Sequence, residues 1–182
     1  MYIIGNRTML YDYQYENDVR IKIWLDELPI QECERTNIVK REYQAGVQDL
    51  KDRQIVVELK IPRNISNYGM LGVRYRNTSI TVNIQINLSK YDEEIYEESI
   101  SINPDIVHKG IPEEYVSGII RSIEQNNGML LKSGHYEFNV GAHGEVGSSE
   151  RIFFVLTNII LKLLLEQEIS KDVVGQLINA EI

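Results

Sequence analysis

His108, His135, His143 and Glu145 are the residue types that ligate zinc, and they lie within one stretch of the chain. No two of them stand at the i,i+4 spacing that sets two ligands on one helix face, and no close Cys/His pattern accompanies them. Their spacing therefore argues for loop histidines without metal. Cys33 is the sole cysteine, so neither a disulfide nor a cysteine-based zinc site can form within one chain. With no His near it in sequence, it reads as an inert packing residue. Ser148 and Ser149 have no paired base and do not form a Gly-x-Ser-x-Gly elbow, which leaves nucleophilic catalysis unsupported. The backbone amides of Gly144 to Ser149 precede a helix and could hold a phosphate. Glu145 and Glu150 would repel one, and Arg151 is the nearest base, so the helix-cap reading is stronger. No Gly-x-x-x-x-Gly-Lys-Ser/Thr loop is present, which excludes GTP hydrolysis of the usual kind. The expectation is a protein with no catalytic residues, no metal and no cofactor.

What remains is binding. A net charge of −8 argues against general nucleic-acid affinity. The charge is unevenly spread. Lys60, Arg63, Arg74 and Arg76 fall in a stretch with no acid, while Asp92, Glu93, Glu94, Glu97 and Glu98 fall in one with no base. Each run reads first as a solvated face, and the acids as an edge that discourages strand-to-strand aggregation. Arg63, Arg74 and Arg76 are the candidate contacts for RNA or another partner. His143, flanked by Gly141 and Gly144, is the best single candidate beside them, because glycines let the backbone turn sharply and display it.

The elements that must position these residues are legible in parts. Tyr11, Tyr13 and Tyr15 alternate with polar residues, as do Val19, Ile21, Ile23 and Leu25, giving two strands with a turn at Asn17-Asp18. The tyrosines read as an amphipathic cross-strand layer rather than a base-stacking platform. Residues 26 to 53 are ambiguous: a helix over Glu34 to Asp52 and a hairpin both fit. Ile55 to Ile61 reads as a strand ended by Pro62, followed by a loop through Asn64, Asn67, Gly69 and Gly72. Ile80 to Leu88 alternates without fault, and Ile95 to Ile102 reads as a weaker strand. Pro112, Glu113 and Glu114 open a helix that Asn126-Asn127-Gly128 closes, with Val116, Ile119, Ile120 and Ile123 as its buried stripe. A short strand is expected around Tyr136 to Val140. A second helix follows, opened by Gly147-Ser148-Ser149-Glu150, and Ser170 caps a short final one. The apolar stretch Ile152 to Leu165 is interrupted by Thr157, Asn158 and Lys162 and is too short for a membrane span. Without a signal-like N-terminus, a cytoplasmic, non-membrane protein is expected.

Four runs, in order, resemble domain four of translation elongation factor G. Ile111-Pro-Glu-Glu-Tyr-Val is similar to that domain's helix start, and Gly118-Ile-Ile-Arg-Ser-Ile-Glu-Gln-Asn-Asn-Gly to its helix body and glycine stop. Leu131-Lys-Ser-Gly-His-Tyr is similar to the run leading into the next strand. Val146-Gly-Ser-Ser-Glu-Arg-Ile-Phe resembles the family's Val-Asp-Ser-Ser-Glu run at the second helix. The order from residue 54 onward (strand, strand, strand, helix, strand, helix) is also that of the domain. The resemblance implies an α+β fold: a mixed or antiparallel sheet with two helices packed on one face, a split β-α-β core over 54–182. Residues 1–53 would form a β-rich N-terminal extension. Ile120 and Phe153 would both be nearly buried.

In that family the domain is a rigid finger whose loop tips reach the decoding site of the ribosome. Here the first tip reads Gly72-Val-Arg-Tyr-Arg-Asn-Thr, without the family's glycine-rich run, and the second is shortened to Gly141-Ala-His-Gly-Glu. The resemblance implies a stand-alone, non-catalytic protein associated with the ribosome or RNA. Arg63, Arg74 and Arg76 would then project into solvent together at one end of the sheet. The alternative is a protein-interaction or regulatory module that reuses the fold without ribosome binding.

Overall fold

Alternating apolar side chains build the first strands. In the computed structural model, which describes residues 2–3, 9–15, 18–30, 32–44, 50–62, 67–102 and 104–181, β1 (Tyr2–Ile3) and β2 (Met9–Gln14) lead into β3 (Arg20–Leu25). Tyr11 pairs with Ile23 and Tyr13 with Ile21. The tyrosines form the expected layer, with ring centroids 6.0 Å and 6.2 Å apart, and the Tyr15 hydroxyl donates to the Lys171 carbonyl at 2.8 Å. Asp18 turns the chain at φ 57°, a left-handed conformation that Asp tolerates better than most residues.

The remaining strands are β4 (Asn37–Tyr43), β5 (Arg53–Ile61), β6 (Asn67–Arg76), β7 (Val82–Leu88), β8 (Val107–Lys109) and β9 (Gly134–Gly144). They complete a nine-stranded sheet in the order β1-β2-β3-β5-β6-β9-β7-β4, with β8 beside β9. Every pairing is antiparallel except β7 with β9, which run parallel on either side of a helical crossover. The fold class is α+β, with a mixed sheet. Strands from residues 1–53 flank those of the later segment on both sides of this one sheet.

Alternation divides the sheet into two faces. Ile21, Ile55, Leu59, Leu71, Val73, Ile84 and Phe138 belong to the larger core, together with the buried residues of all three helices. The smaller core, on Trp24, Val56, Tyr68, Met70, Val140 and Ala142, contains no helical residue and is completed by Ile30, Tyr96, Ile100 and Val107. A 3-10 turn at Glu113–Tyr115, with Pro112 before it, leads into α1 (Val116–Gln125). In α2 (Glu150–Leu165) the Ser149 hydroxyl caps the Ile152 amide, and eleven of sixteen residues are buried. That wide apolar face is explained by contact with the sheet, with α1 and with α3 (Lys171–Glu181). Gly118 sits where α1 crosses the start of α2. A Cβ there would overlap the Glu150 carbonyl oxygen, so only glycine lets the two backbones approach.

Several expectations need correction. The stretch containing Asn67, Gly69 and Gly72 is not a loop but most of β6; Gly69 lies directly beneath Leu156 and Ile152 of α2, and Gly72 lies between Val56 and Val140. Neither a helix nor a hairpin spans 34–52: Asn37–Tyr43 is an edge strand against β7, and 45–49 lie outside the described residues. Ile95 to Ile102 is not a strand, since only Ile95 bridges to His108. The strand expected over Tyr136 to Val140 extends to eleven residues, and so absorbs the second tip. Ile80 precedes β7 and is 80% exposed. Phe153 is fully buried, but Ile120 is only half-buried, because Ile119 and Ile123 face the core more directly. Four strands, β5, β6, β7 and the short β8, precede α1 where three were expected, because Asn67–Arg76 and Val107–Lys109 pair into the sheet while Ile95 to Ile102 does not.

Candidate functional site

The half of the second sheet face left uncovered by the smaller core is polar, and the strand register sets its side chains in rows. Glu42, Asn83, His135 and Arg76 form one row; Lys40, Gln85, Glu137, Arg74 and Gln54 form the next. They alternate with Ile84, Tyr136 and Tyr75, which point into the larger core. Glu137 stands at the centre. Its carboxylate meets the Arg74 guanidinium at 3.5 Å and that of Arg35 at 3.1 Å, and accepts from Asn87 Nδ2 at 3.0 Å. Glu32, from the segment before β4, pairs with Arg74 at 3.1 Å and accepts from Asn139 Nδ2 at 2.6 Å. Two arginines and two glutamates thus cancel in a network braced by amides. Beside it a depression of about 360 Å³ is lined by Lys40, Arg41, Glu42, Asn83, Gln85 and His135, again of mixed sign. Such a surface, of mixed charge, can recognise a partner by hydrogen bonds and ion pairs.

Of the residues singled out by sequence, Arg74 and Arg76 lie on this face, two positions apart on β6, and His143 does not. Arg74 is on the face, but it is held between Glu32 and Glu137. Arg76 is exposed at the end of β6, and Arg63 lies outside the described residues. The register pairs Ile61 with Asn67 at one end of the β5–β6 ladder and Arg53 with Tyr75 at the other. Arg76 therefore stands at the end away from Pro62. The expected joint projection of the arginines into solvent fails at Arg74, whose guanidinium is engaged within the fold.

His143 is not displayed. It lies inside β9, fully buried, opposite His108, with its Nε2 2.9 Å from the Tyr91 carbonyl and the rings of Tyr91 and Tyr115 against it. Desolvation lowers its pKa, and Nδ1 makes no hydrogen bond, although the Gly110 backbone also faces the ring. The neighbouring Gly141 serves close packing rather than a turn: a Cβ there would meet the Gly110 carbonyl oxygen and Ile111. His108 bridges the Glu93 carbonyl at 2.7 Å and the Glu145 carboxylate at 3.0 Å, contacts that raise its pKa. Among the described residues no group of three or more His, Cys, Asp or Glu is arranged to hold a metal ion.

The turn before α2 has its amides occupied. Asp105 accepts from Val146 N at 2.9 Å and Gly147 N at 3.1 Å, and the Ser148 hydroxyl accepts from Gly144 N at 2.8 Å while donating to the Tyr68 carbonyl. A side-chain carboxylate thus takes the place that a phosphate would need. Burial pushes the Cys33 thiol up to about 11, which leaves little thiolate at neutral pH.

Glu58 went unnoticed in the sequence. Its Oε1 accepts from the Tyr68 hydroxyl at 2.9 Å and the Ile100 amide at 3.0 Å, while Oε2 has only Lys22, at 3.8 Å. The signal was a single acid inside the apolar run of β5, on the face shared with Val56. Among the described residues, no helix is long and apolar enough to cross a membrane. Comparison with protein-family models, curated proteins and solved structures finds no match for this chain.

Proposed function

We propose that the chain is a non-catalytic protein-interaction module that reuses a core like domain four of elongation factor G without ribosome binding. The observation that carries this reading is the placement of Arg74 between Glu32 and Glu137, which engages one cation of the Lys60–Arg76 stretch away from phosphate recognition. The net charge of −8 supports it further. The likeness of the core is supported by where the four runs fall, at the start of α1, along α1, before β9 and at the cap of α2, and by the helix, strand, helix order of α1, β9 and α2.

The second reading is a ribosome- or RNA-associated protein of translation. It is favoured by the same order and runs, and by Arg76, which is exposed in a row with His135. A cytoplasmic setting goes with either. The test is capture of the tagged chain from native lysate with and without nuclease. A single protein partner retained after nuclease treatment is the expected result. Ribosomal RNA in the capture, lost with nuclease together with every protein, would overturn the proposal in favour of the second reading.

A further inference from the structure

Away from the polar rows, a depression of about 670 Å³ lies between Pro29–Ile30 and the segment Glu94–Glu98, with Lys109 at its side. Its chemistry is two-sided. Ile30 and Tyr96 are nearly buried and give an apolar floor, while Ile95 is 53% exposed at the rim. Three carboxylates line it against one ammonium. Lys109 is already committed to Glu94, at 2.8 Å, which leaves Glu97 and Glu98 without an ion pair among the described residues.

The backbone beside this depression makes an isolated bridge to β8 whose outer side is open. Ile95 bridges antiparallel to His108, and the flanking hydrogen bonds run from Tyr96 N to Val107 O and from Lys109 N to Glu94 O. That is the pattern of a non-hydrogen-bonded pair, in which the residue's own N–H and C=O point away from the partner strand. The Ile95 amide and carbonyl have no backbone partner among the described residues. One unpaired amide and carbonyl beside an apolar floor and free carboxylates can seed the addition of an extended peptide along the bridge.

We infer that this depression is a docking site for an extended, basic segment of a protein partner, added as a strand along Glu94–Tyr96. Main-chain bonds to Ile95 hold the segment, alternate apolar side chains cover Ile30 and Tyr96, and lysines or arginines meet Glu97 and Glu98. The proposal rests on the protein-contact reading and names the chemistry of its partner.

The test is fluorescence anisotropy with a short labelled peptide of alternating lysine and valine, beside its glutamate–valine counterpart. The lysine peptide binds, more weakly as salt rises, and the glutamate peptide does not. The double variant Glu97→Gln/Glu98→Gln weakens binding by about tenfold. The double variant Glu166→Gln/Glu168→Gln changes the net charge equally at the C-terminal end of α2 and leaves binding intact. Ile95→Pro deletes an amide that the fold does not use and weakens binding without lowering the unfolding midpoint. If that midpoint falls, the glutamate variants decide alone. No binding of the lysine peptide at low salt, or equal losses in the two glutamine doubles, overturns the docking site. Either failure leaves the protein-contact reading to the nuclease-treated capture, which reads a different quantity.

Discussion

Glu58 ties three parts of the molecule together from the middle of β5. Its carboxylate binds the Tyr68 hydroxyl of β6 and the Ile100 amide of the segment that closes the smaller core, and it is fully buried. Burial raises its pKa above the ordinary value of 4.5, with Ile100, Lys22 and Tyr68 opposing. The sign follows from linkage. The unfolded chain ionises near the ordinary value while the folded protein resists, so stability falls as pH rises from about 4.5 through the raised folded value, then levels. Glu58→Gln keeps an acceptor for both donors and cannot ionise. Its stability relative to wild type should therefore grow over that window in urea unfolding at stepped pH. A difference independent of pH would contradict this account. Glu58→Ala strands two buried donors and should cost about 2–3 kcal/mol below the ordinary carboxyl range, a cost that shrinks as pH rises through the same window. A lone acid in an apolar strand is visible in sequence, but its partners come from β6 and from Ile100, and the sequence does not say so. Glu137 is hidden for the same reason: its arginines lie 63 and 102 residues away.

α1 and α2 meet at a crossing that their sequences announce only in part. Gly118→Ala gains helix propensity yet forces a methyl group onto the Glu150 carbonyl, and overpacking of that kind costs about 1–3 kcal/mol. Thermal or urea unfolding checks it, and a neutral or stabilising result would mean that the helices cross less closely. Ser149→Ala removes the cap on the Ile152 amide, for a loss of about 1 kcal/mol by the same measurement. These helices were legible because capping residues and an apolar stripe coincide in sequence. β3, β5 and β7 were legible because apolar residues alternate within them. β6 was not: Asn67, Gly69 and Gly72 are the residues of loops, and their place in a strand depends on α2, Val56 and Val140 packing close above and below. β4 was missed because an edge strand with one neighbour needs little apolar alternation, and Ile38, Val39 and Tyr43 happen to suit a helix as well. In 95–102, Tyr96 and Ile100 turn inward four residues apart, a spacing set by a curved segment rather than by a strand.

At the scale of the whole molecule, one sheet serves two purposes. One face and three helices supply the larger core; the other is divided between a covered apolar half and an open polar half. The centre of the open half holds Arg35, Arg74, Glu32 and Glu137 in pairs, and the acidic segment Glu94–Glu98 borders a depression at the rim of the covered half. Such a distribution supports the proposed contact with a protein over contact with a phosphate backbone. The fold class could be read from the sequence, whereas the working surface could not. A surface is made by register between distant strands, and register places Arg74 beside Glu137 and sets Arg76 at the end of the sheet away from Pro62. The most direct measurement is co-sedimentation with ribosomes over rising salt, comparing wild type with Arg63→Glu/Arg76→Glu. The account predicts no sedimentation of wild type with ribosomes, even at low salt, above the level of the variant. Wild-type co-sedimentation whose affinity falls by about 0.7–0.9 logarithmic units per phosphate contact for each tenfold rise in salt, and is abolished in the variant, would contradict it.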